Sequence, residues 1–481
     1  MPTIITVGAA TARAYGFILG SGSSPSGTFF FTLGWISSAA TSNIGVVPTN
    51  SGYMIYGNSN YPPSGFPYDG SAYALELDAN GGYVSSNTYR TSNPAALEGV
   101  VKDTYGNTYV GGTVTQSPYT NNLPLFIAPI SNYSAVITGT DAYGPASIVK
   151  TELVSGNILY ALGYGPDNPC CYYSAKRTLY RLITYNNAIP SLLQAFTANF
   201  LTYYYGGISD FSASSNGQVA ILELYGTYCI CCSFGSSASV MNGSTQAGAW
   251  KVNLPLISST QGTIVKAKLD SNGNLYLLIT SNNPAVTVRY VSLAKFNSSG
   301  VFQWEKQWTP TNDLAVISSS SILIDSLDNV YVTYIADPPT LVSRVHFISF
   351  NQYGVPQFSR QITTGTNGFA TLKTPTLDNN GGIYMSGQYD LATVGPSGGV
   401  GMFRLPIDGT HTGSGSINIS GSVNSIGYYP LTLTFSTGTS PLSSSTISGN
   451  TFGTTVNYGP TVASSTFPTV VSAPGTGVII I

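Results

Sequence analysis

The chain has 481 residues, a formal net charge of −2 and charged side chains at only 7% of its positions, against roughly a quarter in an average soluble domain. Its 17 Lys and Arg are scattered and offer no basic stripe for a phosphate backbone, so nucleic acid is excluded as a partner, and no apolar run reaches the ~18 residues of a spanning helix, so membrane insertion is not expected. With 53 Gly, 34 Tyr and a Ser/Thr/Asn background, the surface must be built from hydroxyls, amides and aromatic rings.

Residues 1–42 hold a single charge, Arg13, which follows the first apolar stretch instead of preceding it, the reverse of a secretory leader. Within this flank Phe29-Phe-Phe-Thr-Leu-Gly-Trp35 reads as a strand. From residue 43 to 412 one short phrase recurs: an Asx/Gly turn running into an apolar strand. Its clearest copies are Asp103-Thr-Tyr-Gly-Asn-Thr-Tyr109, Asp270-Ser-Asn-Gly-Asn-Leu-Tyr276, Asp325-Ser-Leu-Asp-Asn-Val-Tyr331 and Asp378-Asn-Asn-Gly-Gly-Ile-Tyr384, with weaker ones centred on Met54, Leu159 and Ala220. The seven aligned positions are 50 to 61 residues apart, a period that marks a radial β-array.

Each unit parses as two hairpins. In the fifth, strands are predicted at 263–269, 275–280, 288–296 and 301–308; in the sixth, at 321–324, 330–335, 345–350 and 355–362. The turns have a mechanical reason: Asp or Asn at the first position bonds the backbone two residues on, and Gly or Asn later in the turn accepts positive φ. A companion phrase, Phe296-Asn-Ser-Ser-Gly300 and Phe350-Asn-Gln-Tyr-Gly354, closes the second hairpin.

These two phrases together resemble the β-propeller repeat families of the SBBP and NHL kind. The resemblance implies an all-β fold: a seven-bladed β-propeller of four-stranded antiparallel blades over 43–412, with accessory β-structure from flanks 1–42 and 413–481. The third and fourth units, which read Gly156-Asn-Ile-Leu159 and Gly217-Gln-Val-Ala220, depart most from the pattern.

Those two units also carry all five cysteines, Cys170, Cys171, Cys229, Cys231 and Cys232. The 58 residues between Cys171 and Cys229 are close to one repeat, which places both groups beyond the same strand of adjacent units. A disulfide staple between neighbouring loops is the favoured reading and reduced thiols the alternative. Zinc is disfavoured, because the ligand spacing is wrong and no His lies nearby. Tyr172, Tyr173, Tyr203, Tyr204 and Tyr205, set among Ser, Asn and Gly, are candidate aromatic binding loops for glycan or protein.

Chemistry is sparse. His346 lies in an alternating strand and is expected to point outward, while His411 lies in a Gly/Thr turn; neither has a local nucleophile or carboxylate arrangement. Asp78, Asp270 and Asp378 open Asx turns but lack the further acidic ligands of a calcium loop. Gly111-Gly112 and Gly381-Gly382 have no helix to receive phosphate. No catalytic residue, cofactor or metal is expected.

From Thr412 to Ile481 there is no Asp, Glu, Lys or Arg. Tyr429-Pro-Leu-Thr-Leu-Thr-Phe435 and Gly477-Val-Ile-Ile-Ile481 read as strands, which must pair within the chain or on a neighbouring subunit to avoid an aggregating edge. The composition points to a non-enzymatic structural or recognition protein on the exterior of an assembled particle such as a virion. Its partners would be other structural subunits in a homo-oligomer or particle, and surface glycans. The alternatives are an extracellular adhesin or filament subunit binding polysaccharide, and a propeller glycan hydrolase or lyase with convergent carboxylates over a central channel.

Overall fold

The computed structural model describes thirty-five strands between Phe29 and Ile480 and, outside them, chiefly the turns at 214–217, 243–245, 247–249, 270–274, 297–301, 325–329, 351–355, 407–409 and 431–434. Among the described residues the regular structure is all β, and the strands pair antiparallel in seven propeller-like sheets. The chain divides into two compact units, one of Met1–Pro94, Leu314–Leu433 and Pro468–Ile481, the other of Ala95–Asp313 and Thr434–Phe467.

The second unit holds four sheets. Their strands, in sheet order, begin with Ala95–Lys102, Thr108–Gln116, Asn121–Ile127 and Val136–Thr138; next come Ser147–Val154, Ile158–Pro166, Ala175–Tyr185 and Ala188–Phe200. Gly206–Ala213, Gln218–Gly226, Phe234–Asn242 and Trp250–Leu254 form the third, and Thr263–Leu269, Leu275–Thr280, Val291–Phe296 and Phe302–Trp308 the fourth. First strands of consecutive sheets lie side by side. Between the last two sheets sits a core that includes Leu222, Val240, Val252, Ile264, Leu277 and Phe296. Leu275–Thr280 is buried at every position, as a strand covered on both faces must be.

The first unit holds three sheets. One is Thr41–Pro48, Gly52–Ser59, Ser71–Asp78 and Tyr83–Arg90. Another is Val316–Ile324, Val330–Asp337, Arg344–Phe350 and Pro356–Thr363, extended by Ser422–Pro430 and Gly413–Ile419. In the third, Gly368–Leu372, Gly382–Asp390 and Gly399–Pro406 are followed by the N-terminal strand Phe29–Trp35 and then the C-terminal strand Gly477–Ile480. The apolar C-terminal strand is therefore paired within the chain, Leu33 opposite Ile479.

All seven aligned positions of the sequence repeat, from Met54 to Tyr384, fall in the second strand of a sheet. The Asp that opens the phrase organises it. Asp270 Oδ1 accepts the N–H groups of Asn272 and Asn274, both at 2.9 Å, and Oδ2 accepts Asn274 Nδ2 at 2.7 Å and the Tyr276 hydroxyl at 3.5 Å. Asp325 repeats this with Leu327, Asn329 and Tyr331, and Asp103 with Tyr105 and Tyr109. The spacing Asp-x-x-x-Asn-x-Tyr is thus the footprint of one carboxylate satisfying a turn and anchoring a buried ring. The companion turn works likewise: Asn297 Oδ1 accepts from Ser299 and Val301, Asn351 Oδ1 from Tyr353 and Val355. Gly300 and Gly354 take φ of 82° and 78° there, a region open to glycine without a steric penalty.

Several strand ends shift by one to three residues, 288–296 starting at Val291 and 301–308 at Phe302, and two predicted strands differ more. The stretch 321–324 begins earlier, at Val316, because Ser318 and Ser321 flank a register shift that keeps the ladder going. The predicted strand 429–435 is broken after Pro430, which has no N–H to continue a ladder; Leu431 bonds the Ser359 carbonyl and pairing resumes at Phe435.

Replacing Asp270 by Ala removes the acceptor of two turn N–H groups and one hydrogen bond of the Tyr276 hydroxyl in a site 2% exposed. Urea denaturation is expected to show a loss of about 2–4 kcal/mol, whereas Asp270→Asn, which keeps one acceptor, is expected to lose less.

Candidate functional site

The first strand of each sheet has one edge bonded to the second strand; in the second unit the opposite edge meets the first strand of the adjacent sheet. The backbone donors on that edge find side chains there. Ala213 N–H bonds Glu152 Oε2 at 2.7 Å, Ala267 N–H bonds Asp210 Oδ2 at 3.1 Å, and Leu269 N–H bonds Ser212 Oγ at 3.1 Å.

A bulge positions these groups. Each of the seven first strands shifts register against its second strand at one place, before Gly45, Gly99, Lys150, Asp210, Lys266, Ser321 and Thr371. An extra residue twists the strand and re-aims the side chains that follow. In three neighbouring sheets of the second unit the re-aimed residues are charged: Lys150 and Glu152 on Ser147–Val154, Asp210 on Gly206–Ala213, and Lys266 and Lys268 on Thr263–Leu269.

They form a compact network. Lys150 Nζ lies 3.0 Å from Asp210 Oδ1 and 3.1 Å from Glu152 Oε1, and donates to the Phe211 carbonyl at 2.7 Å. Lys268 Nζ lies 2.8 Å from the same Glu152 oxygen. Burial pushes both carboxyl groups up, but Lys268 and Lys150 outweigh it at Glu152, and Lys150 and Lys266 at Asp210, so both are held below the usual carboxylate range. Burial would pull Lys150 down; Asp210 and Glu152 overcome it and hold the ammonium above its usual range. The Lys150 and Lys268 side chains remain 20% and 21% exposed. The Glu152 and Asp210 side chains are only 11% and 6% exposed, so the two anionic carboxylates lie beneath the more exposed ammonium groups. The network acts as a clasp between sheets, and its ammonium groups are placed to meet hydroxyls.

Sequence reasoning missed this cluster. The signal was the spacing of charged residues in a charge-poor chain: Lys150, Asp210 and Lys266 are 60 and 56 residues apart, one repeat each. Cys170, Cys171, Cys229, Cys231, Cys232, Tyr172, Tyr173, Tyr203, Tyr204 and Tyr205, like His411 and Asp378, lie outside the described residues. The Asp270 carboxylate bonds its own turn and Tyr276, and its backbone carbonyl accepts the Ser214 hydroxyl of the neighbouring sheet at 2.6 Å.

His346 does not point outward. Its strand is third in its sheet, flanked by Val330–Asp337 and Pro356–Thr363, and the ring is 1% exposed against Tyr334, at 4.9 Å between centroids. Alternation misleads here because both faces of the strand are covered, as its run of buried positions shows. Nδ1 pairs with the Tyr334 hydroxyl at 2.9 Å, while Nε2 has no hydrogen-bond partner. Burial, reinforced by Arg344, pushes the ring down to about 3, so it is neutral in the folded chain.

No protein-family profile and no curated protein matches the chain. Among solved structures it is similar to an apocarotenoid oxygenase of Synechocystis, at 10% identity and a TM-score of 0.41 over 89% of this chain and all of that one. It is similar also to a Penicillium chrysogenum alpha-L-arabinanase complexed with arabinobiose, at 14% identity and 0.39 over 84% and 99%. A GH43_12 protein retrieved from a capybara gut metagenome follows at 10% and 0.26 over 82% and 99%. Antiparallel sheets arranged as in a propeller are common ground; no SBBP or NHL protein is among these structures. Two of these neighbours are by name an oxygenase and an arabinanase, in contrast to the expectation of a non-enzymatic structural protein on the exterior of a virion.

The buried imidazole sets a pH dependence. An unfolded His takes up a proton near pH 6.5 and the folded one only near 3, so the unfolded state binds more protons in between and stability falls as pH drops through that window. Between pH 6.5 and 5 the loss is expected to be about 2 kcal/mol, and His346→Gln should flatten it in denaturant titrations. Glu152 and Asp210 add a further loss below the unfolded carboxylate range, which the His346 variant retains.

Proposed function

We propose that the chain is a propeller enzyme acting on carbohydrate, its seven sheets closing as seven blades in the manner of the SBBP and NHL repeats, with the Lys150–Glu152–Asp210–Lys268 cluster as its reactive centre. The observation that carries this reading is that two carboxylates from adjacent first strands converge on one ammonium, in a chain where charge is otherwise rare. Cleavage of a glycosidic bond passes through an oxocarbenium-like state that a carboxylate stabilises. Both carboxyl groups are held as anions, so one takes up the proton of the attacking water while the departing oxygen is protonated from solvent.

Lys150 lies within hydrogen-bonding reach of both carboxylates and fixes their separation. Lys268 is positioned to orient Glu152 and, at the accessible edge, to meet ring hydroxyls. A low net charge and a surface of hydroxyls, amides and Tyr suit a neutral, hydroxyl-rich polymer, since such a ligand is drawn in by stacking and hydrogen bonds without electrostatic steering.

The test is release of reducing ends from a panel of plant, algal and microbial polysaccharides. Glu152→Gln, which preserves an acceptor for Ala213 N–H, is expected to lower kcat at least ~100-fold while the chain stays folded at neutral pH by circular dichroism. Turnover at the wild-type rate in both Glu152→Gln and Asp210→Asn, or no cleavage of any polysaccharide by the unaltered chain, defeats the reading.

A further inference from the structure

In the second unit the uncharged C-terminal segment supplies a fifth strand to three of the four sheets, and it visits them in the reverse of chain order. Phe435–Thr437 pairs with Phe302–Trp308, Ser443–Thr446 with Trp250–Leu254, and Val462–Ala463 with Val136–Thr138, each antiparallel to the outermost strand of its sheet. The connection between the first two is firmly seated. Gly438 N–H bonds the Glu305 carbonyl at 3.1 Å, and the buried Glu305 carboxylate accepts the N–H and the hydroxyl of Ser440. Leu442 packs against the core cluster that contains Trp250 and Leu254.

The sheet passed over is the one that runs from Ser147–Val154 to Ala188–Phe200. Its first strand lies beside those of the sheets on either side, Ala95–Lys102 and Gly206–Ala213, so a segment travelling from Trp250–Leu254 to Val136–Thr138 crosses its flank. Among the described residues the outer edge of Ala188–Phe200 carries no further strand. At 13 residues this is the longest strand described, and it holds no Asp, Glu, Lys or Arg. From 194 to 200 its pairing with Ala175–Tyr185 is regular and contains no bulge or proline, so none of the devices that blunt a free edge is in place there.

Spacing along the chain says what covers it. Five residues, 438–442, carry the segment from one sheet to the next, whereas fifteen, 447–461, separate Ser443–Thr446 from Val462–Ala463. Two connections of the shorter length leave about five residues, enough for a strand on the intervening edge. The sequence provides one. Phe452-Gly-Thr-Thr-Val-Asn-Tyr458 sets Phe, Thr, Val and Tyr on one side and Gly, Thr and Asn on the other, between the turn residues Ser448-Gly-Asn450 and Gly459-Pro460. These residues lie outside the described ones. We propose that 452–458 is the fifth strand of this sheet, antiparallel to Ala188–Phe200, so that one segment straps all four sheets of the second unit in succession by main-chain bonds.

Hydrogen–deuterium exchange of the full-length chain, resolved to short fragments by mass spectrometry, tests this. A bare edge leaves alternate amides of 194–200 open to solvent, whereas a covered one protects them all; protection throughout is expected. Replacing 452–458 by an equal number of Gly and Ser residues alters no described residue. It is expected to speed exchange across 194–200 about tenfold or more while Trp250–Leu254 stays protected. Thr455→Pro and Val456→Pro each delete one backbone donor, and since successive donors point to opposite edges, one of the two is expected to reproduce the effect. Fast exchange at alternate amides of 194–200 in the unaltered chain, protection there that survives the replacement and both Pro variants, or loss that spreads to Trp250–Leu254 in all three would each overturn the proposal. Protection of 194–200 that rises with protein concentration would assign the edge to a second copy and overturn it too.

Discussion

The constraint on which the second unit depends is the open edge of each first strand. A strand at the end of a sheet has backbone donors that no ladder uses, and a buried donor without a partner costs about 1–3 kcal/mol. The chain answers by letting one first strand cap the next: Glu152 serves Ala213, Asp210 serves Ala267 and Ser212 serves Leu269, while Ser236 Oγ, on the third strand of the preceding sheet, accepts from Ile264. Where the cap is a carboxylate, a buried anion is created and must be neutralised. Lys150 and Lys268 do so. Structural need thus draws together the residue types that chemistry requires, and the same atoms hold sheets in contact and define the reactive centre proposed above.

The bulge is the device that makes this possible. It recurs in all seven first strands, whatever residue follows it, so it belongs to the backbone plan and not to the site. Specialisation comes from what stands at the re-aimed position: Gly45 and Gly99 in two sheets, Lys150, Asp210 and Lys266 in three others. A common scaffold with a variable residue at a fixed place is how repeat folds acquire a site without changing their architecture.

The antiparallel strands and their turns were legible in the sequence because the turn phrase is a local code. Asp103, Asp270 and Asp325 each bond residues within six positions of themselves, so spacing along the chain reports the contact directly. The strands predicted at 263–269 and 275–280 are the strands observed. The charge cluster is a contact between residues a whole repeat apart, joined by a register shift that no local pattern announces. Glu152 and Lys268 are separated by 116 positions. His346 escaped for a related reason: alternation reports exposure only when one face of a sheet is wet, and its face is sealed by Tyr334. The C-terminal segment was readable as strands, but its seat was not, since Glu305 and Ser440 lie 135 positions apart.

In the first unit Phe29–Trp35 lies between Gly399–Pro406 and Gly477–Ile480, with Phe31 opposite Met402 and Leu33 opposite both Val400 and Ile479. That strand has both edges in use, Phe29 to Phe31 against Arg404 to Met402 and Thr32 to Trp35 against Ile480 to Gly477, so loss of Gly477–Ile480 would bare one edge of an aromatic strand while the other stayed paired.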